Sequence, residues 1–186
     1  TATGCFSGTL NYVLHRLQQG VPFSKTVEEA RAQGYSEPDP AEDLAGNDMA
    51  RKAIILGRLS GLVRDDSPPR LEGLVDPDWV GLPWPELLER LVGRNAELER
   101  RARAAAAEGR VLRFVASISE GRIDVGPRAV DASSPLGQLQ GTDNMIVLHS
   151  ERYHDHPLVI SGPGAGAAVT ATGVLGDILR IAAARS

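Results

Sequence analysis

Cysteine is almost missing from these 186 residues: Cys5 stands alone, which excludes an internal disulfide and fits a reducing cytoplasm. Cys5 lies in TGCFSG with no histidine nearby in sequence, so we expect a packed thiol rather than a nucleophile. Aromatics are scarce at 4% and positive charge is in deficit, the formal net charge being −4. No basic patch is interleaved with aromatic residues, so nucleic acid is not an expected partner. No apolar run approaches the roughly 20 residues that cross a bilayer, so neither a membrane span nor a signal peptide is expected. What remains is 42% hydrophobic and 24% charged residues, a soluble globular composition long enough for one domain with a real core.

The first half reads as helical. Apolar Tyr12, Val13, Leu14 and Leu17 predict a helix over Asn11–Gln18, stopped by Gly20. A second helix is expected from Ser24 or Lys25 to Gln33, with capping-box spacing in Thr26-Val27-Glu28-Glu29 and Gly34 as its stop. An acidic loop held open by Pro38 and Pro40 follows, then a third helix over 48–59. Residues 62–83, rich in Pro, Gly and Asp, read as a long irregular connection. Two more helices are expected at 84–92 and 95–108. After Gly109 the pattern turns to short strands, VLRFVASI, RIDVGPRAV, MIVLHS and PLVIS, before a C-terminal helix that packs on them. Helices first and strands later predict an α+β fold, a mixed β-sheet covered by helices.

The segment GYSEPDPAEDLAGNDMARK sets five acids, Glu37, Asp39, Glu42, Asp43 and Asp48, ahead of one lysine, Lys52. On a helical wheel Asp48, Lys52, Ile55 and Leu59 form one stripe, charged above and aliphatic below. Such a stripe is expected to point into the protein, its charged end at the rim of a cavity, with Arg51 and Arg58 solvated on the next stripe. The bland alternative is an i,i+4 ion pair worth a few tenths of a kcal/mol. The functional alternative is that carboxylates outnumbering the local cations bind an ammonium group, as an amino acid carries. Lys52 among them would then be a general acid able to give a proton to a carbonyl oxygen.

Other candidates are weaker. His149, His154 and His156 lie in HSERYHDH, but only His154 and His156 would share a strand face and no third ligand is placed, so no metal site is expected there. His15 reads as an ordinary helix-face residue. Magnesium at Asp43 and Asp48 would compete with the adjacent Lys52. The run Gly162-Pro163-Gly164-Ala165-Gly166 follows a strand and opens a helix, but too little chain follows it to complete a dinucleotide-binding βαβ unit. A tight strand-to-helix turn is the plain reading; a turn that approaches a cofactor held by another domain is the functional one.

Three stretches resemble homoserine dehydrogenases. GYSEPDPAEDLAGNDMARK is similar to that family's substrate segment GYTEPDPRDDLxGxDxARK, and FSGTLNYVL to its (F/N)GTxNYIL. PLVISGPGAGAAVTATGVLGDILRIA is similar to its C-terminal GxGAGxxVTAxGVxxDxLRIA. The likeness runs through essentially the whole chain, and the middle, LERRARAAAAEGRVLRFVASI, is most similar to the form fused behind an aspartate kinase. Ser36 and Ala41-Glu42 depart from the family pattern without touching a mapped contact.

The resemblance implies that Lys52 is the proton donor and that Glu37 and Asp48 hold substrate. It places Asp43, Tyr35, Gly8 and Thr9 around the substrate, with Gly34 and Gly166 as contacts to the nicotinamide nucleotide. The implied reaction is NADPH- or NADH-dependent reduction of L-aspartate 4-semialdehyde to L-homoserine, within threonine and methionine biosynthesis, by a cytoplasmic homodimer. The family's N-terminal Rossmann domain, with its nucleotide loop, a second catalytic lysine and a monovalent-cation site, has no counterpart motif here. The sequence begins TATGCFSG, without an initiator methionine and as if in mid-element. Residues 1–186 are therefore expected to be the substrate-binding and dimerisation domain, with the cofactor bound mainly elsewhere. A competing reading keeps the isolated chain as a non-catalytic dimerisation and amino-acid-binding module, and a third is an acidic metal-dependent hydrolase.

Overall fold

The computed structural model describes residues 1–64 and 68–184. Its centre is a six-stranded mixed sheet: β1 (Ala2–Cys5), β2 (Arg70–Leu71), β3 (Arg110–Ser119), β4 (Arg122–Asp131), β5 (Asp143–Leu148) and β6 (Leu158–Pro163), in the order β2-β4-β3-β1-β5-β6. β2 pairs parallel to β4 and every other pair is antiparallel. The expected mixed sheet with helices over it is therefore present, and the four later strands lie where alternation and turn residues placed them.

The ragged opening is itself an element. β1 sits mid-sheet between β3 and β5, with Ala2 and Cys5 fully buried on opposite faces. The thiol of Cys5 is pushed up to about 12 by burial, partly offset by the Arg113 guanidinium, so it is packing and not a nucleophile.

Helices α1 (Gly8–Gln18), α2 (Phe23–Ala32), α3 (Pro40–Ala45), α4 (Asn47–Leu59) and α5 (Trp84–Ala107) gather on one side of the sheet. α1 starts three residues earlier than expected, because the Ser7 hydroxyl caps the Leu10 N–H at 3.3 Å. The capping box expected at Thr26 does not form. Phe23, fully buried, draws the first turn of α2 into the core, and the Thr26 hydroxyl donates inside the helix to the Phe23 carbonyl at 2.7 Å. That N-terminal turn of α2 is capped from α5 instead, where the Asn95 carboxamide accepts the Ser24 N–H at 2.8 Å.

Residues 84–107 form one helix, not two. Leu87, Leu91, Leu98, Ala102 and Ala105 stay buried in phase across Gly93. Burying each leucine contributes about 1.5–3 kcal/mol. That outweighs the roughly 1 kcal/mol that a mid-helix glycine costs. Much of the connection read as irregular is structured too: it holds β2 and a 3-10 turn over Pro77–Trp79, and it sends Leu74, Val75 and Trp79 into the core. Its residues 65–67 lie outside the described residues.

A smaller cluster fills the opposite sheet face. Cys5, Val115, Met145 and Val147 meet Leu136 and Leu139 from the short α6 (Pro135–Gln138) and its exit. Arg113, only 3% exposed, anchors that segment by donating to the carbonyls of Leu136 (3.1 Å), Gly137 (2.8 Å) and Leu139 (2.9 Å). The chain then passes into β5 beside the site. The last helix, α7 (Ala167–Ala183), does not pack as expected: none of its described residues is buried, although Val174, Leu175, Ile178 and Leu179 are apolar.

Candidate active site

Why does the acidic stretch fold as it does? Proline does not merely hold the loop open. Pro40 occupies the first turn of α3, and the Asp39 side chain caps it by accepting the Ala41 N–H at 3.0 Å. The other Asp39 oxygen accepts the Gly81 N–H at 2.7 Å, so this acid is structural. Glu42 is exposed. Gly46, at φ +78°, ends α3 and starts α4, turning the chain so that the acids of both helices converge. The Asp43 carboxylate reaches back and accepts the Glu37 N–H at 2.9 Å.

The result is a cavity of about 420 Å³ that all nine residues singled out from the sequence line. Gly8 and Thr9 come from the start of α1. Gly34, Tyr35 and Glu37 come from the loop, Asp43 from α3, Asp48 and Lys52 from α4, and Gly166 from the turn before α7. The Thr9 hydroxyl donates to the Tyr35 carbonyl at 2.6 Å, tying the first motif to the second, and the Tyr35 ring stands edge-on to Tyr12 with centroids 5.0 Å apart.

Lys52 Nζ lies 2.7 Å from Asp48 Oδ2 and donates to the Phe6 carbonyl at 3.2 Å. These two contacts fix the ammonium at the cavity rim and leave its third N–H without a partner among the described residues. Burial pushes the Asp43 carboxyl above its ordinary value. The backbone hydrogen bond from Glu37 works against that, while the Glu37 and Asp48 charges add to it. Glu37, Asp43 and Asp48 thus share the cavity lining with the one ammonium of Lys52, an arrangement suited to a ligand that brings its own ammonium.

The stripe on α4 does not run as the wheel suggested. Ile55 and Leu59 are 57% and 82% exposed. α4 packs on the sheet through its small side, Ala50, Ala53 and Gly57; a side chain at Gly57 would meet Val63 at 2.7 Å. The charged and aliphatic stripe therefore faces outward along a second, apolar groove that Phe6, Met145 and Ile160 also line. The two cavities adjoin, sharing Phe6, Lys52, Asn144, Pro163 and Gly164.

Sequence reasoning missed Thr142 and Asn144, which reach the cavity from β5 and its approach. The one available signal was an amide at an inward position of a strand, in register with Ile146 and Leu148. Asn11, one of the motif residues, holds that approach by donating from its side chain to the Asp143 carbonyl at 2.7 Å. The histidine cluster falls in turns, where His154 Nδ1 lies 3.0 Å from Asp155 Oδ1, both heavily exposed. Among the described residues no group of three metal-ligating side chains converges, and no helix is long and apolar enough to cross a membrane.

Residues 1–179 match the family model described as homoserine dehydrogenase. A carrot protein named bifunctional aspartokinase/homoserine dehydrogenase, chloroplastic, is 42% identical over 184 residues, covering 96% of this chain and 20% of its own length. A yeast (Saccharomyces cerevisiae) homoserine dehydrogenase is 40% identical over 194 residues, covering 96% of this chain and 52% of its own. This chain thus spans about half or less of those relatives. Relatives fused to an aspartokinase and an unfused relative are thus similar to this chain over nearly all of its length. Among solved structures, a Candida auris protein described as of unknown function superposes with a TM-score of 0.88 at 38% identity, over 97% of this chain and 52% of that one. A putative homoserine dehydrogenase from Archaeoglobus fulgidus does so with a TM-score of 0.76 at 26% identity, over 97% and 49%.

Proposed function

Because the chain belongs to the homoserine dehydrogenase family, we propose that it forms the substrate-binding and dimerisation domain of an enzyme that interconverts L-aspartate 4-semialdehyde and L-homoserine. The observation that carries this reading is the Lys52 ammonium, held 2.7 Å from Asp48 at the rim of a cavity that also presents Glu37 and Asp43.

Glu37 and Asp48 accept hydrogen bonds from the substrate's ammonium, with Asp43 beside them. Gly8, Thr9 and Tyr35 shape the wall against which the amino-acid end rests. Lys52 gives its free N–H proton to the carbonyl oxygen as that oxygen gains charge, and takes it back from the hydroxyl in the reverse direction. A nicotinamide dinucleotide, NADP or NAD, supplies or accepts the hydride when bound. The residues present fit such a group, since Gly34 and Gly166, at φ +70° and +131°, have open space where a side chain would stand, so a ligand can approach their backbone closely. Most of its binding surface is assigned to sequence outside these 186 residues, consistent with the greater length of the relatives.

Homodimerisation is supported by the exposed apolar residues of β6 and α7, among them Ile160 at 55% and Leu179 at 60%. The same surface supports a second reading of the chain taken alone, as a dimerisation and amino-acid-binding module without catalysis. Sedimentation with and without homoserine and NADP⁺ distinguishes them: the module dimerises without either and ignores the dinucleotide. In the complete polypeptide, Glu37→Gln should raise the KM for homoserine about tenfold or more while kcat changes less, the pattern of a lost charge-assisted hydrogen bond to substrate. An unchanged KM would remove Glu37 from the substrate site.

A further inference from the structure

Where the two cavities meet, one side chain does something the family resemblance did not assign. Asn144 lines both, beside Lys52 and Gly164. It stands on β5 opposite Gly162 of β6, and β6 is the sheet's edge, so the glycine turn that follows β6 is braced from the β5 side.

A side chain on Gly164 would place its first carbon 1.8 Å from Asn144 Nδ2 and 2.5 Å from its Cγ. Gly164 does not take a positive φ. The backbone there lies outside the left-handed region that favours glycine, and the atoms an added side chain would meet first are those of the Asn144 amide. The amide is not kept for a hydrogen bond the fold supplies either. Its Oδ1 is buried with no partner, a cost that an apolar residue of the same shape would avoid.

We propose that Asn144 is a positioning residue for the reaction proposed above: its carboxamide is the spacer against which the glycine turn closes, and it sets how far Gly164–Gly166 stand from Lys52. The inference rests on the proposed function, because the turn and the lysine would hold the two reactants. Shortening Asn144 lets the turn settle inward, and adding a carbon at Gly164 drives it outward. Either displacement spoils the approach of hydride donor and carbonyl without removing any group that touches them.

The test compares Asn144→Ala, Asn144→Leu, Gly164→Ala and the double Asn144→Ala/Gly164→Ala in the complete polypeptide. Homoserine oxidation is followed with ordinary and C4-deuterated substrate. Asn144→Ala and Gly164→Ala should each lose about 10²-fold in kcat/KM, the size expected for a displacement near 1 Å. Both should raise the dinucleotide KM and the deuterium isotope effect, as chemistry becomes slower than release. Asn144→Leu, which keeps the branched volume without the polarity, should stay within about tenfold of wild type, and the double variant should recover most of the Gly164→Ala loss.

A merely structural role would lower the folded fraction, and with it kcat, but would leave both KM values and the isotope effect unmoved. That pattern overturns the proposal, as does an Asn144→Leu enzyme as poor as Asn144→Ala. Should Gly164→Ala not fold, the comparison of Asn144→Ala with Asn144→Leu decides alone. A wild-type enzyme that does not oxidise homoserine would instead refute the proposed function.

Discussion

Gly46 is the hinge on which the site depends, and its replacement by alanine separates two costs that the structure lets one calculate. The first is conformational. At φ +78° an alanine pays the left-handed penalty, about 1–2 kcal/mol. The second is steric. The new carbon would lie 2.6 Å from Phe114 Cζ and 3.0 Å from its Cε1, and Phe114 is a fully buried core ring on β3. Overpacking of that kind adds typically about 1–3 kcal/mol, for a total of about 2–5. Gly61 supplies the control: its φ is +70°, and nothing stands within 4 Å of the position a side chain would take. Gly61→Ala should therefore cost the conformational part alone. Urea denaturation of wild type and both variants gives the difference directly. Because Gly46 joins the helices that carry Asp43 and Lys52, Gly46→Ala should also weaken homoserine binding, and Gly61→Ala should not. Trimming the ring with Phe114→Leu should relieve part of the Gly46→Ala loss, giving a coupling of about 0.5 kcal/mol or more. Equal destabilisation by the two alanines would refute the steric argument.

Two further outcomes follow from the titrating groups. Asp43 has a folded-state pKa raised above its ordinary value. Folding thus prefers its protonated form, and the carboxylate costs stability as pH rises through the window from the ordinary value to the raised one. Asp43→Asn, whose side-chain oxygen can still accept the Glu37 N–H, should gain stability relative to wild type between acid and neutral pH; a difference independent of pH in denaturation at several pH values would contradict the assignment. Cys5, fully buried with its thiol pushed up to about 12, should resist iodoacetamide in the native protein and react once unfolded, with mass spectrometry as the readout. Rapid native alkylation would contradict its burial.

The site was legible in the sequence to the extent that its chemistry is local. Glu37, Asp43, Asp48 and Lys52 fall within 16 residues and reach one cavity because two short helices meet at a glycine. What escaped was set by tertiary contacts. A four-residue β1 has too few positions to show alternation, yet it pairs on both edges. A proline read as a loop keeper is equally a helix starter once an aspartate precedes it, and so α3 was missed. The wheel identified the stripe on α4 but not its direction, because Ala50, Ala53 and Gly57 carry little hydrophobic signal while allowing the closest approach to the sheet. The helix α5 runs through Gly93 because its buried stripe continues on both sides, information that lies in the partner surface. Asn144 lies about ninety residues beyond Lys52 in the chain, and only the β1–β5 pairing brings them to one wall.

The proposed chemistry depends above all on Lys52. The measurement is homoserine-dependent reduction of NADP⁺ by the complete polypeptide, wild type against Lys52→Ala, at saturating homoserine and with folding checked by circular dichroism. Loss of the proton donor should lower kcat by about 10²-fold or more in a protein that remains folded. A folded Lys52→Ala enzyme that turns over as wild type does would contradict the claim and leave the Asp48–Lys52 contact as an ordinary helix ion pair.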